Sequence, residues 1–164
     1  MQNIPDPPVI FIHGQESSSK GSKGVFFRNL FPEMIIPDFK GELSKRMSEL
    51  YECLADKEDI IMIGSSLGGL MAALYAFQNK GKVKKLILLA PAINLDEFSP
   101  FLNEQLNIPA FVFHGKEDEL IPLQSIQDIS KKVFPDLTFT TLDDDHRLSG
   151  TFTSIDWPQL IGGT

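Results

Sequence analysis

Gly64-Ser65-Ser66-Leu67-Gly68 sets a serine between glycines two residues before and two residues after it. Gly-x-Ser-x-Gly is the spacing of a nucleophile elbow, a strained turn that lifts a serine hydroxyl above the end of a sheet. The flanking glycines are required because side chains there would crowd the turn. The same residues also read as a glycine-rich turn whose serines cap a helix, since serine is a favoured N-cap. The surroundings favour the reactive reading: Ile60 to Ile63 is a short apolar run of strand type, and the segment from Leu67 to Phe77 is long, apolar and rich in helix formers. Of the two serines, Ser66 holds the elbow position, and Ser65 is expected to point away.

A serine hydroxyl is a weak nucleophile at neutral pH and needs a base within hydrogen-bond reach, itself oriented by a third group. The chain holds three histidines, His13, His114 and His146. Elbow serines are followed in chain order by the acid and then the histidine, and only His146 lies after both Ser66 and a suitable carboxylate. The loop after His114 reads Gly115-Lys116-Glu117-Asp118-Glu119-Leu120-Ile121-Pro122. Asp118 is the expected acid, because a short side chain held mid-loop before a proline-started helix is readily fixed inward. Glu117 and Glu119 are expected to face water. Asp145 is adjacent to His146, but neighbouring side chains in an extended segment point to opposite sides, so it is not expected to orient the imidazole.

Other chemistries fit less well. Gly14 to Gly21 is a Gly/Ser-rich turn carrying Lys20, but a phosphate-binding loop would need glycine at Ser19 and serine or threonine at Gly21. Asp143-Asp144-Asp145-His146 could suggest a metal site, yet adjacent carboxylates in one turn rarely converge and no second histidine has ligand spacing. No metal and no cofactor are expected. Cys53, the only cysteine, lies beside Leu50 and Leu54 in a helical pattern, where packing is its expected role.

The elements that must position these residues alternate in type. Strands are expected at Val9–Ile12, 34–36, 60–63, 84–90, 110–113 and Leu137–Leu142. Between them lie helical patterns at about 22–31, 41–55, 67–77 and 122–134, with a shorter helical stretch within 96–106 and a clipped final helix over 156–161. The 41–55 pattern buries Leu43, Met47, Leu50, Tyr51 and Leu54 on one face. Six strands with helix-length connections predict a mostly parallel sheet with helices on both faces, a three-layer αβα domain spanning residues 1–164. His13, Ser66, His114, Asp118 and His146 each fall just past the C-terminal end of an expected strand, where such folds bind ligands.

At 164 residues and 42% apolar, the chain is long enough for one continuous core. A formal charge of −7 argues against a nucleic-acid partner, since phosphate binding needs a concentrated basic surface. The lysines between Lys80 and Lys85 are read instead as complementing the dipole of the helix end beside them. The N-terminus shows no basic and apolar leader, and nowhere do 18 apolar residues run together, so a cytoplasmic protein without membrane insertion is expected.

Phe11-Ile12-His13-Gly14, the Gly64 to Gly69 elbow, Leu89-Ala90-Pro91, His114 to Pro122 and Asp145-His146 together resemble an α/β-hydrolase over nearly the whole chain. The resemblance implies that Ser66 is the nucleophile, Asp118 the triad acid and His146 the general base. It implies an oxyanion hole made by the backbone N–H groups of Leu67 and Gln15, with His13 and His114 holding their loops. It further implies a minimal form of the fold that lacks the first two strands and a lid domain, similar to compact, YqiA-like bacterial esterases. The expected substrate is a short- or medium-chain carboxylic ester, with Leu95, Phe98, Phe101, Leu102 and Leu106 expected to form one wall of a shallow acyl pocket. Thioesterase or acyltransferase chemistry on the same triad, or a non-catalytic binding module on this fold, are the alternatives. The oligomeric state is not legible.

Overall fold

In the computed structural model, which describes residues 6–163, apolar side chains along each strand alternate between two packed faces. Residues 1–5, on which part of the leader reading rests, and residue 164 lie outside the described residues. Ile10, Ile12, Met62, Leu86, Leu88, Ala110 and Val112 enter one core cluster. Phe11, Ile61, Ile63, Ile87, Leu89 and Phe113 enter a second. Continuous apolar strand segments are what a sheet covered on both sides requires.

The strands are β1 (Val9–Ile12), β2 (Ile60–Ser65), β3 (Val83–Leu89), β4 (Ala110–Gly115) and β5 (Leu137–Leu142). They lie side by side in chain order, and every neighbouring pair is parallel. Helices α2 (Leu43–Cys53), α3 (Leu67–Gln78) and α4 (Leu123–Val133) place Leu50, Leu70 and Ile126 in the first cluster. Helices α1 (Ser22–Leu30) and α5 (Trp157–Gly162) place Phe27 and Trp157 in the second. Ten consecutive residues of α3, Gly68 to Phe77, are buried. A helix apolar all round must be enclosed, and here the sheet lies on one side and α2 on another, with Tyr51 of α2 packing on Tyr75 at 5.3 Å.

Among the described residues the sheet has five strands, not the six expected. The segment 34–36 contributes a single parallel bridge, Ile35 to Ile10, through Phe11 N–H to Ile35 O and Ile35 N–H to Val9 O, each at 2.9 Å. Pro32 and Pro37 enclose it, and proline removes the donors that a longer ladder would need. The connection after β3 forms a 3-10 helix, Asp96–Phe101, with Pro100 inside it.

Two side chains fasten the six-residue α5. Trp157 is fully buried and its indole N–H donates to Phe152 O at 2.8 Å. Lys85, on β3, reaches the C-terminal end of α5 and donates to Leu160 O at 2.7 Å and Gly163 O at 2.9 Å. Positive charge does complement a helix end, but for Lys85 the end is that of α5 and not of the preceding α3. Lys80 and Lys82 instead pair with Glu104 and Glu58. Cys53 is half-buried and packs against the first core cluster.

Candidate active site

Ser66 sits between β2 and α3 with φ 56° and ψ −116°, a left-handed backbone that a non-glycine residue holds only at a cost of about 1–3 kcal/mol. The surroundings impose it. Ser66 N–H donates to Leu89 O at 2.9 Å, and Ser66 O accepts from Gly69, Leu70 and Ala92 N–H groups at 3.0 to 3.2 Å. The turn closes only without side chains at its flanks: a Cβ on Gly64 would lie 2.3 Å from Gly68 O, and one on Gly68 would lie 2.0 Å from Ile12 O.

The Ser66 hydroxyl oxygen lies 3.0 Å from His146 Nε2. On the other side of the ring, His146 Nδ1 lies 2.7 Å from Asp118 Oδ2. A carboxylate only accepts, so Nδ1 carries the proton and Nε2 is left free to accept from the serine. The Asp118 carboxylate is fully buried. Its Oδ1 accepts the N–H groups of Leu120 and Ile121 at 2.9 and 2.8 Å, which fixes it inside its own loop. Glu117 and Glu119 are exposed. Asp145 Oδ1 is taken up by Arg147 N–H at 3.0 Å, within the turn that presents His146.

Two loops must be in register for this chain of bonds, and they are stitched together. Glu117 N–H donates to Asp144 O at 3.1 Å and Lys116 N–H to Leu142 O at 2.9 Å. A Cβ at Gly115 would lie 2.4 Å from Asp144 O, so the loops approach through a glycine. Burial alone would raise the Asp144 carboxyl, but hydrogen bonds from Thr151 Oγ1 and from Asp145 and Gly150 N–H hold it below its ordinary range.

His13 and His114 brace the site from below. His13 Nε2 accepts Phe39 N–H at 2.8 Å, so its Nδ1–H donates to Gly14 O at 2.7 Å and fixes the turn after β1. His114 is fully buried, and its Nε2–H donates to Ile121 O at 2.9 Å. That nitrogen also lies 3.2 Å from Asp118 Oδ2, the oxygen facing His146. Burial holds His114 below the ordinary imidazole range, against the opposing pull of the Ile121 carbonyl and Asp118. The sequence suggests a loop-holding role for His114 but gives no sign that the ring touches the acid, because that contact depends on how the loop folds back.

Ser66 and His146 line a cavity of about 370 Å³ together with Gly14, Gln15, Leu67 and the side chains of α1's first turn. Among the described residues, the backbone N–H groups of Gln15 and Leu67 donate no hydrogen bond, so both are free for a ligand oxygen. A Cβ on Gly14 would lie 3.3 Å from Ser66 Cβ, which shows how closely the turn after β1 approaches the serine. Ser65 also borders the cavity, without a hydrogen bond to a histidine.

The expected apolar wall is different. Of Leu95, Phe98, Phe101, Leu102 and Leu106, only Leu95 borders the cavity. Phe98 and Leu106 are buried in the core, where Phe98 packs on Phe77 at 5.4 Å. The 3-10 helix places its aromatics against α3, because the short connection cannot both cover α3 and reach Ser66. Leu120, 74% exposed, supplies the opposite apolar rim instead. Among the described residues, no cluster of three or more His, Cys, Asp or Glu side chains has metal-site geometry, and no helix is long and apolar enough to cross a membrane.

Comparison with known proteins gives a consistent architecture. Residues 43–104, from α2 through the 3-10 helix, match the family model described as serine aminopeptidase, S33. No curated protein sequence matches the chain. Among solved structures, Est1E from Butyrivibrio proteoclasticus with ferulic acid bound is 19% identical at TM-score 0.76, covering 94% of this chain and 87% of that one. Alpha/beta hydrolase domain-containing protein 10 from mouse is 22% identical at TM-score 0.72, covering 88% and 84%. An esterase from Pyrococcus furiosus is 19% identical at TM-score 0.71, covering 96% and 80%. At these identities the likeness is one of fold.

Proposed function

We propose that this chain, whose fold is that of the α/β-hydrolases, is a serine hydrolase cleaving short- or medium-chain carboxylic esters through an acyl-enzyme. The observation that carries this reading is the unbroken hydrogen-bond chain from Ser66 Oγ through His146 to the buried Asp118. Ser66 Oγ attacks the ester carbonyl while His146 Nε2 takes the hydroxyl proton. Negative charge develops on the carbonyl oxygen, and the N–H groups of Gln15 and Leu67, which donate no other hydrogen bond among the described residues, receive it. Each such donor is worth about 10²-fold or more in rate. As the tetrahedral intermediate collapses, the C–O bond to the alcohol breaks and His146 returns the proton to the departing oxygen. Water, deprotonated by His146, then attacks the acyl-enzyme, and the released Ser66 oxygen recovers its proton. The ring stays charged only transiently, beside the Asp118 carboxylate. No cofactor is required, and a cytoplasmic setting fits this chemistry.

The cavity's apolar rim, Leu95 and Leu120, offers a short patch and not a tunnel. Each methylene buried there adds about 0.8 kcal/mol at most, so selectivity should rise over a few carbons and stop. Purified protein is to be assayed on p-nitrophenyl esters from acetate to decanoate beside the matching acyl-CoA thioesters. The expected outcome is ester turnover that peaks at or below medium chain length and vanishes in Ser66→Ala. Turnover confined to thioesters would move the substrate class to that alternative. Equal rates in Ser66→Ala would remove the mechanism, and no turnover of any ester or thioester would favour a binding module.

A further inference from the structure

The cavity that holds Ser66 is lined by two cations that the hydrolytic mechanism does not use, Lys23 and Arg147. Lys23 lies in the first turn of α1, half-buried, with one ammonium N–H donated to Arg147 O at 2.5 Å and Phe152's ring 5.0 Å away. Its remaining N–H groups have no acceptor among the described residues, and no carboxylate oxygen lies within 4.0 Å of its Nζ. Burial first, then the Arg147 charge, push Lys23 below the ordinary lysine range, against Asp144 and Asp145 on the neighbouring turn. Those two carboxylates are turned into their own loop, on Gly150, Thr151 and Arg147 backbone or hydroxyl donors, and neither lines the cavity. Arg147 is exposed, follows His146 directly, and forms no ion pair among the described residues. The one acid on the lining is Glu16, which is exposed and makes no ion pair there.

A partly dehydrated ammonium with no carboxylate in direct contact is costly, and the cost is recovered if a bound molecule brings the anion. A protein with seven excess negative charges repels anions at long range, so two cations kept beside the reactive serine act locally. Ser22, next to Lys23 in the chain and also on the lining, adds a hydroxyl. We propose that Lys23 and Arg147 form a subsite for an anionic group, so that the preferred substrate is an ester carrying a carboxylate or phosphate on its acyl or its alcohol part. The proposal rests on the hydrolase reading and assigns the substrate class within it.

The experiment compares matched pairs at about pH 8: monomethyl glutarate against methyl pentanoate for an anion on the acyl part, and 4-acetoxybenzoate against its methyl ester for an anion on the alcohol part. Within one pair, kcat/KM for the anionic member should exceed that for the neutral member by about 10- to 100-fold, the worth of one or two charge-assisted hydrogen bonds. The pair that shows it tells which end of the ester lies over α1. The ratio should fall about tenfold or more in Lys23→Gln and in Arg147→Gln, survive better in Arg147→Lys, and shrink with added salt. Because it is a ratio within one protein, partial unfolding of a variant cancels. Ratios at or below one in both pairs, with the neutral esters turned over, would overturn the subsite and leave the hydrolase reading standing. A ratio above ten that neither Gln variant lowers would also overturn it. No turnover of any ester, with Ser66 inert to a fluorophosphonate, would overturn both.

Discussion

Among the individual residues, Asp118 and Asp145 are separated by what each carboxylate already holds. Asp118 faces His146 Nδ1 at 2.7 Å, while Asp145 caps the turn at Arg147. Replacing Asp118 with Asn should therefore lower kcat by ~10⁴-fold, since loss of the orienting acid leaves the imidazole in the wrong tautomer. Asp145→Asn should be mild; the reverse order would mean the acid is misassigned. His114 carries a second expectation. Its folded pKa lies below 6.5, so between that folded value and 6.5 the unfolded chain binds a proton that the folded chain does not. Stability then rises with pH through this window and is lost as pH falls below 6.5. Urea midpoints at about pH 5 and about pH 7 should differ more in the parent protein than in His114→Gln. Identical differences would show that this ring does not set the slope. The residue types of the site were legible because Gly-x-Ser-x-Gly, a loop aspartate and a late histidine are local signals. The contact of His114 with Asp118 was not, because it arises from the loop folding back on the end of β4.

For the elements, the legible part is the alternation of apolar runs with helical patterns, which gives the parallel sheet and its two helical layers. The sixth strand failed because proline at 32 and 37 leaves too few donors for a ladder, and only Ile35 bonds to β1. The acyl wall failed for a different reason: apolar residues at Phe98 and Leu106 look the same in sequence whether they face a substrate or α3. In the turn after β5 the sequence pointed to His146 but gave its acidic residues no structural role. In the structure Asp144 is its keystone, accepting from Asp145, Gly150 and Thr151. Asp144→Ala should destabilise the fold by about 1 kcal/mol at neutral pH, because water partly replaces those bonds at a half-exposed site. It should lower kcat further than stability alone explains, since displacing His146 by about 1 Å can cost ~10²-fold. The Asp144 carboxyl is held below 3.8 in the fold. Its contribution is present above that value and lost as pH falls through the lower folded one, so parent and variant should converge in acid. A constant gap in denaturant midpoint down to about pH 2 would contradict this role.

Across the described residues, five strands, five helices and two 3-10 segments bring together side chains from Phe11 to Arg147 that no local stretch of sequence contains. The elbow's strained serine, the stitched acid and histidine loops and the two free N–H groups exist only when the sheet and both helical layers are assembled. Reactivity of Ser66 should therefore be a property of the folded chain. The most direct measurement is labelling with a fluorophosphonate at about pH 8, read by intact mass and then by peptide mapping. One adduct per folded chain is expected, located on Ser66, absent after unfolding in urea and absent in Ser66→Ala. Labelling of Ser65 or any other serine, or no labelling of the folded protein, would contradict the account.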